Sequence, residues 1–269
     1  MKAPEGARLP VSLDASHLKV IAMVSMIIDH VTAFLLLEFL PEISGSLYQF
    51  PIYAIGRHIG RIAFPIFCFQ ISEGAAFTRD RKKYALRLLL FAVLSQIPFS
   101  LANGNPWWSL EKVNVLFSLL AGLGMIVLFD RMKESGRPLL PLLGMLALCA
   151  FCIAANTDYE MTGPLTILTF YALRGRKWEQ LLAGAAAFAV GYAALVLSTF
   201  WGCSLQYGLE LVQYNYFRVE ICNLVGFALL ALYSGQKGKS GRFGRLFYLV
   251  YPLHLLLIAG IRFLLTAGT

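Results

Sequence analysis

Long apolar runs alternate with short polar breaks along the 269 residues of the chain. A helix crossing a hydrocarbon core about 30 Å thick needs roughly 20 consecutive, mostly apolar residues. Read that way, the runs predict spans at Ser16–Leu40, Ile52–Phe77, Tyr84–Leu101, Val113–Phe129, Leu139–Ala155, Met161–Leu173, Gln180–Phe200, Tyr216–Tyr233 and Leu246–Leu265. The sixth is short, and Pro164 near its start suits a first-turn position. It reads as tilted, shielded by neighbours, or half-spanning. Leu205–Gln213 reads as a further interfacial helix. Backbone polar groups in lipid must be satisfied within the segment, which favours helices for runs of this length. The expected fold is all-α integral membrane, about nine transmembrane helices in a single domain over residues 1–269. Residues 1–15 are polar, so the first span reads as an uncleaved signal anchor.

Composition sharpens the class. Charged residues are 14% of the chain and apolar ones 58%, where a soluble domain carries about 25% charged. A soluble fold is excluded. The net charge of +8 raises nucleic acid as a partner, and the placement of the basic residues removes it. With the N-terminus inside, one set of loops carries Lys2, Arg8, Lys19, Arg79, Arg81, Lys82, Lys83, Arg131, Lys133, Arg137, Arg174, Arg176, Lys177, Lys237, Lys239, Arg242 and Arg245. The opposite loops carry Lys112 with Glu42, Glu111, Asp158 and Glu210. This is the positive-inside distribution. It predicts a multi-pass plasma (inner) membrane protein with a cytoplasmic N-terminus, an outer C-terminus, membrane lipids as neighbours and no nucleic acid.

Ionisable residues remain within or near the apolar runs: Asp29, His30, Arg57, His58, Arg61, Glu73, Arg87, Arg218, Glu220, His254 and Arg262. A charge at the bilayer centre costs about 2.5–3.5 kcal/mol on insertion scales, so these side chains must share an interior or pair. Arg57 and Arg61 are four apart and project from one helix face. Asp29 is placed to pair with either. Gly56 and Gly60 beside them form a small-xxx-small pattern that predicts close helix packing. Glu73 is a candidate to neutralise Arg87 or a basic-loop arginine. Cys149 and Cys152 form a C-x-x-C inside an apolar run, with no second pair to complete a metal site; helix packing is the expected role, and no metal is expected. Lys19 and His30 are eleven residues apart, about three helical turns and roughly 16 Å along one face. A cation at the mouth and an imidazole deep inside suit the two ends of an acyl-coenzyme A, with Lys19 and the Arg79–Lys83 cluster on its phosphates. A topogenic and lipid-headgroup role is the simpler reading of that cluster.

At these residues the chain resembles the TraX family, named for a membrane protein that acetylates pilin in conjugation systems. The likeness rests on Leu18–His30 (LKVIAMVSMIIDH), Gly60–Gly74 (GRIAFPIFCFQISEG), Lys83–Phe99 (KYALRLLLFAVLSQIPF), Asn114–Leu123 (NVLFSLLAGL), Asp158–Pro164 (DYEMTGP) and Phe247–Ile258 (FYLVYPLHLLLI). It departs at Glu160, where the family pattern carries glycine. Lys19 and His30 are also similar to a motif of larger membrane acyltransferases, a basic residue followed after ten others by histidine. The resemblance implies acyl transfer from cytoplasmic acetyl-coenzyme A to an acceptor at the outer face, a protein amine or a glycan hydroxyl. His30 would be the general base, with Asp29, Arg57 and Arg61 as catalytic companions and one of those arginines or Asn114 on the oxyanion. Expected donor-side contacts are Lys19, Glu73, Arg79, Arg81, Lys82 and Asn114; expected acceptor-side contacts are His58, Asp158, Tyr251 and His254, with a helix-to-helix hydrogen bond the equal alternative for His254. The competing expectation is a transporter or flippase using the same polar interior. Against it stands the lack of a visible internal repeat, a mark of many transporters.

Overall fold

A computed structural model describes residues 12–39, 50–201, 222–236, 238 and 243–267. The expected interfacial helix at Leu205–Gln213, and Arg218 and Glu220 at the start of the eighth span, lie outside the described residues. The described residues form helices α1 (Ala15–His30), α2 (Pro51–Arg61), α3 (Ala63–Phe77), α4 (Arg81–Ala102) and α5 (Val115–Ser135). They continue with α6 (Leu139–Ala154), α7 (Thr162–Ala172), α8 (Lys177–Trp201), α9 (Asn223–Ala231) and α10 (Phe243–Ala267). Isolated bridges at Leu13–Tyr233 and Val113–Thr157 are the only extended pairings among them. Four helical stretches, Ala15–Leu35, Arg81–Ala102, Val115–Ser135 and Tyr248–Thr266, are long and apolar enough to cross a membrane. Their outer faces fit that solvent: Val20, Leu86, Leu90, Leu257 and Leu264 are all exposed. The chain is an all-α membrane protein.

Helix boundaries follow local chemistry. Asp80 caps α4, its carboxylate accepting the Lys83 N–H at 2.9 Å, and Asn114 caps α5 through the Leu116 N–H at 3.1 Å. Gly136, at φ +62°, ends α5 in the left-handed conformation that glycine adopts without strain. Two expected spans are not single regular helices. Ile52–Phe77 breaks at Ile62 into α2 and α3, because Pro65 has no N–H to bond the Arg61 carbonyl. The Ile62 N–H turns back to the Ile59 carbonyl at 3.2 Å. The first span leaves the α conformation after His30, passing into a π-turn over Val31–Leu35 and a tight 3-10 turn over Leu36–Phe39.

Ion pairs and hydrogen bonds gather the helix ends into two sets. At one end Arg81 joins Asp130 at 2.6 Å and the Tyr171 hydroxyl at 2.7 Å, tying α4, α5 and α7. Glu73 joins Arg174 there at 2.6 Å, and Lys177 reaches the Tyr233 carbonyl at 3.4 Å. The segment before α1 docks alongside, the Leu13 N–H donating to the Leu232 carbonyl at 2.9 Å. At the opposite end Arg262 of α10 meets Glu38 at 2.7 Å and donates to the Ala102 carbonyl at 2.9 Å. The α4–α5 and α6–α7 loops pair beside them: the Asp158 N–H donates to the Val113 carbonyl at 3.2 Å, and Lys112 meets Asp158 at 2.7 Å. α3 and α5 run through the centre, with Phe64, Ile66, Cys68, Leu123 and Ile126 buried.

Candidate functional site

The α1–α2 contact sets the depth of the site. A Cβ at Gly60 would fall 2.1 Å from Asp29 Oδ1, and one at Gly56 would fall 2.0 Å from Thr32 Oγ1. Only glycine at both positions lets α1 lie that close. Asp29 then meets Arg57 Nη1 at 2.7 Å, an ion pair with both side chains half-buried. Of the two partners open to Asp29 in the sequence, the structure selects Arg57. Arg61 turns to the α6–α7 loop, donating from Nη1 to the Tyr159 hydroxyl at 2.8 Å. Tyr159 stacks on Phe64 with ring centroids 3.5 Å apart. Its loop carries left-handed backbone at Asn156, Tyr159 and Glu160 (φ +46°, +61° and +34°), the region that glycine enters most readily. The glycine that the resemblance implies at the Glu160 position would enter that region without strain.

These residues enclose a chamber of about 130 Å³ lined by Asp29, His30, Arg57, Arg61, Lys112, Asp158 and Tyr159. His30 is buried at the end of α1, where the helix passes into the π-turn, a local irregularity common at functional sites. Its ring lies against Phe34 and Tyr251, at centroid distances of 5.4 and 6.0 Å. Its Nδ1 is 2.6 Å from His254 Nε2. Lys112 is held above the ordinary lysine range by the Asp158 carboxylate beside it.

A second, larger cavity of about 320 Å³ abuts the chamber. It is lined by Lys19, Gln70, Thr78, Tyr84, Arg87, Tyr248 and Tyr251 among apolar side chains. Met26, Phe67 and Val115 line both spaces, which meet at these side chains. Two buried polar atoms of the larger cavity's wall, Gln70 Nε2 and the Tyr251 hydroxyl, have no hydrogen-bond partner among the described residues. A buried donor without a partner costs about 1–3 kcal/mol, so both are suited to meet carbonyl groups of a ligand.

The expected residues divide accordingly. Asp29, His30, Arg57, Arg61 and Asp158 come together in the chamber, and Lys19 and Tyr251 line the larger cavity. Three expected donor contacts are committed elsewhere. Arg81 is spent on Asp130, Tyr171 and the Ala75 carbonyl, and Glu73 on Arg174. Asn114 is fully buried, its side-chain amide donating to the Ala92 carbonyl and Gln96 Oε1, both at 2.8 Å, while its oxygen caps α5. No group of the Asn114 amide is left for a ligand. Arg79 and Lys82 are exposed beyond the cavity wall. His58 bonds back to the Ala54 carbonyl of its own helix, and His254 contacts His30 instead of lining either space. Arg87 and Gln70 were missed as cavity residues. For Arg87 a signal existed: it shares a helix face with Tyr84 and Leu88, which line the same wall. No group of three or more His, Cys, Asp or Glu able to hold a metal occurs among the described residues.

Comparison with known proteins agrees with the motif reading. The sequence matches the family described as TraX protein over residues 14–262. It is 28% identical over 262 residues to the "Probable fimbrial assembly protein FimC, serogroup H1" of Dichelobacter nodosus, covering 95% of this chain and 98% of that protein. No solved structure matches the chain. Its motifs and the nearly full-length match together make this chain a member of the TraX family.

Proposed function

We propose that this chain is a multi-pass plasma-membrane acetyltransferase of about nine spans, with the N-terminus in the cytoplasm and the C-terminus outside. It would move an acetyl group from cytoplasmic acetyl-coenzyme A to an amine or hydroxyl at the outer face. The relative's name, a fimbrial assembly protein, favours a pilin-type protein as acceptor, with an envelope glycan as the other candidate. The observation that carries the reading is His30 buried in a charged chamber that shares a wall with a larger, mostly apolar cavity.

In this reading the donor's pantetheine arm enters the larger cavity, and Lys19 and Arg87 at its mouth face the phosphates. Gln70 and Tyr251 meet the donor's carbonyl oxygens. The acceptor enters the chamber. His30 takes the proton from the acceptor's N–H or O–H as that atom attacks the thioester carbonyl. The new C–N or C–O bond forms, the C–S bond breaks, and His30 returns the proton to the departing thiolate. Arg57 and Arg61, at the chamber wall, face the negative charge that develops on the carbonyl oxygen.

The test is acetyl-coenzyme A turnover by purified protein in nanodiscs. Free thiol is followed with and without a pilin N-terminal peptide or a hydroxyl-bearing glycan. Removing a general base costs about 10²–10⁴-fold, so His30→Ala, folded by its helical spectrum, should lose thiol release by that factor. Turnover equal in both proteins would remove His30 from the chemistry. Neither turnover nor acetyl-coenzyme A binding in wild type would end the acyl-transfer reading and leave solute passage through the two cavities.

A further inference from the structure

His254 lies on α10, far from His30 in sequence, and lines neither cavity. Its ring is nonetheless nearly coplanar with that of His30, at an interplanar angle of 3°. His30 Nδ1 and His254 Nε2 are 2.6 Å apart, and His254 Nδ1 is 2.7 Å from the Val250 carbonyl oxygen one turn earlier. A carbonyl oxygen only accepts, so His254 Nδ1 carries a hydrogen. In a neutral imidazole the other nitrogen then holds a lone pair. His254 Nε2 must therefore accept, and His30 Nδ1 must donate. That leaves the lone pair of His30 on Nε2, which has no hydrogen-bond partner among the described residues.

We propose that His254 is a positioning residue that fixes the tautomer of His30 and keeps Nε2 as the basic nitrogen. The Val250 carbonyl sets His254, and His254 sets His30. Asp29, the chain neighbour of His30, does not have this task, because Arg57 holds its carboxylate. The orienting role that a buried aspartate fills in a serine-hydrolase triad falls here to a second, neutral histidine. When His30 Nε2 takes a proton, the Nδ1–H already directed at His254 becomes a charge-assisted bond. No movement of either ring is needed. The catalytic consequence rests on the acyl-transfer reading; the tautomer does not.

The test is nitrogen-15 NMR of the imidazoles in nanodisc-embedded protein. The chain has four histidines, His17, His30, His58 and His254, so single His→Gln variants assign the signals. His30 is expected to carry its hydrogen on Nδ1 with Nε2 unprotonated. His254→Leu, with no acceptor, should move His30 toward the Nε2–H form. His254→Gln, whose amide oxygen can accept from His30 Nδ1, should retain the Nδ1–H form. In turnover, His254→Leu should lower kcat by between about tenfold and 10⁴-fold, the upper figure being the loss when a triad imidazole takes the wrong tautomer. The KM for acetyl-coenzyme A should stay unchanged, and His254→Gln should recover most of kcat. A wild-type His30 protonated on Nε2, or a doubly protonated His254, overturns the proposal. So do Leu and Gln variants with equal kcat. Wild-type protein that shows the expected tautomer but neither turns over nor binds acetyl-coenzyme A supports the positioning geometry and refutes acyl transfer.

Discussion

At the residue scale, the glycines of α2 decide whether the site exists. Asp29 sits where a Gly60 side chain would be, with its own Cβ 2.3 Å from that point. Neither backbone can yield without separating α1 from α2. Gly60→Ala should destabilise the protein by about 1–3 kcal/mol, the usual range for overpacking. Detergent-solubilised unfolding should show it, together with reduced turnover. Gly260→Ala, on an exposed face of α10 with nothing within 4 Å, should leave turnover unchanged. Equal turnover in both would separate the α1–α2 contact from function. The small-xxx-small spacing and the Arg57–Arg61 face were legible because both follow from helical period alone. Which arginine Asp29 takes was not, since that depends on rotation of α1 against α2. Asn114 shows the reverse case. An Asn just ahead of an apolar run is a helix-cap signal, and the chemical reading of Asn114 overlooked it.

At the element scale, two loops close one end of the chamber, and a side chain from a neighbouring helix ties each of them down. The α4–α5 loop is anchored by Gln96, whose amide donates to the Lys112 carbonyl at 2.9 Å. The α6–α7 loop is held by Ser118, whose hydroxyl donates to the Asp158 carbonyl at 2.5 Å. Lys112–Asp158 then joins them by side chains. Lys112 is about half exposed, so the pair should couple by only about 0.2–1 kcal/mol in a Lys112→Met, Asp158→Asn double-mutant cycle. The sign with pH follows from the raised lysine. Its contribution is complete below the unfolded lysine value of about 10.4 and disappears as pH rises through the higher folded value. Urea unfolding should therefore show the full coupling at pH 8 and less of it at pH 11; no coupling at pH 8 would mean the loops are held by their backbone bonds alone. The spans themselves were legible as apolar runs. The break at Ile62 and the π-turn after His30 were not, because hydropathy reads composition, not backbone path. Pro65 was the available sign of the first.

At the scale of the whole molecule, the question is which end faces the cytoplasm. Arg81, Glu73, Arg174, Lys177 and the segment before α1 meet at one end of the bundle. Glu38, Lys112, Asp158 and Arg262 meet at the other. Hydropathy alone gives no such partition; it emerged from counting basic residues loop by loop, and the ion pairs of the fold group the same turns. A basic turn held in the cytoplasm resists translocation, so the Lys19 mouth of the larger cavity should open inside, toward coenzyme A, and the Lys112–Asp158 loops outside, toward the acceptor. Single cysteines in a background lacking the native thiols decide this. In intact cells, a membrane-impermeant maleimide should label Asn105→Cys or Trp108→Cys on the α4–α5 loop. It should leave Arg79→Cys, Arg137→Cys and Arg176→Cys unlabelled until the cells are opened. The reverse pattern would put His30 near the cytoplasmic face and the Lys19 mouth outside, where acetyl-coenzyme A is not supplied. Acyl transfer by the proposed route would then fail even with every chamber contact intact. Labelling of turns from both ends in intact cells would instead break the nine-span count, because an odd segment between two turns is what carries them to opposite sides.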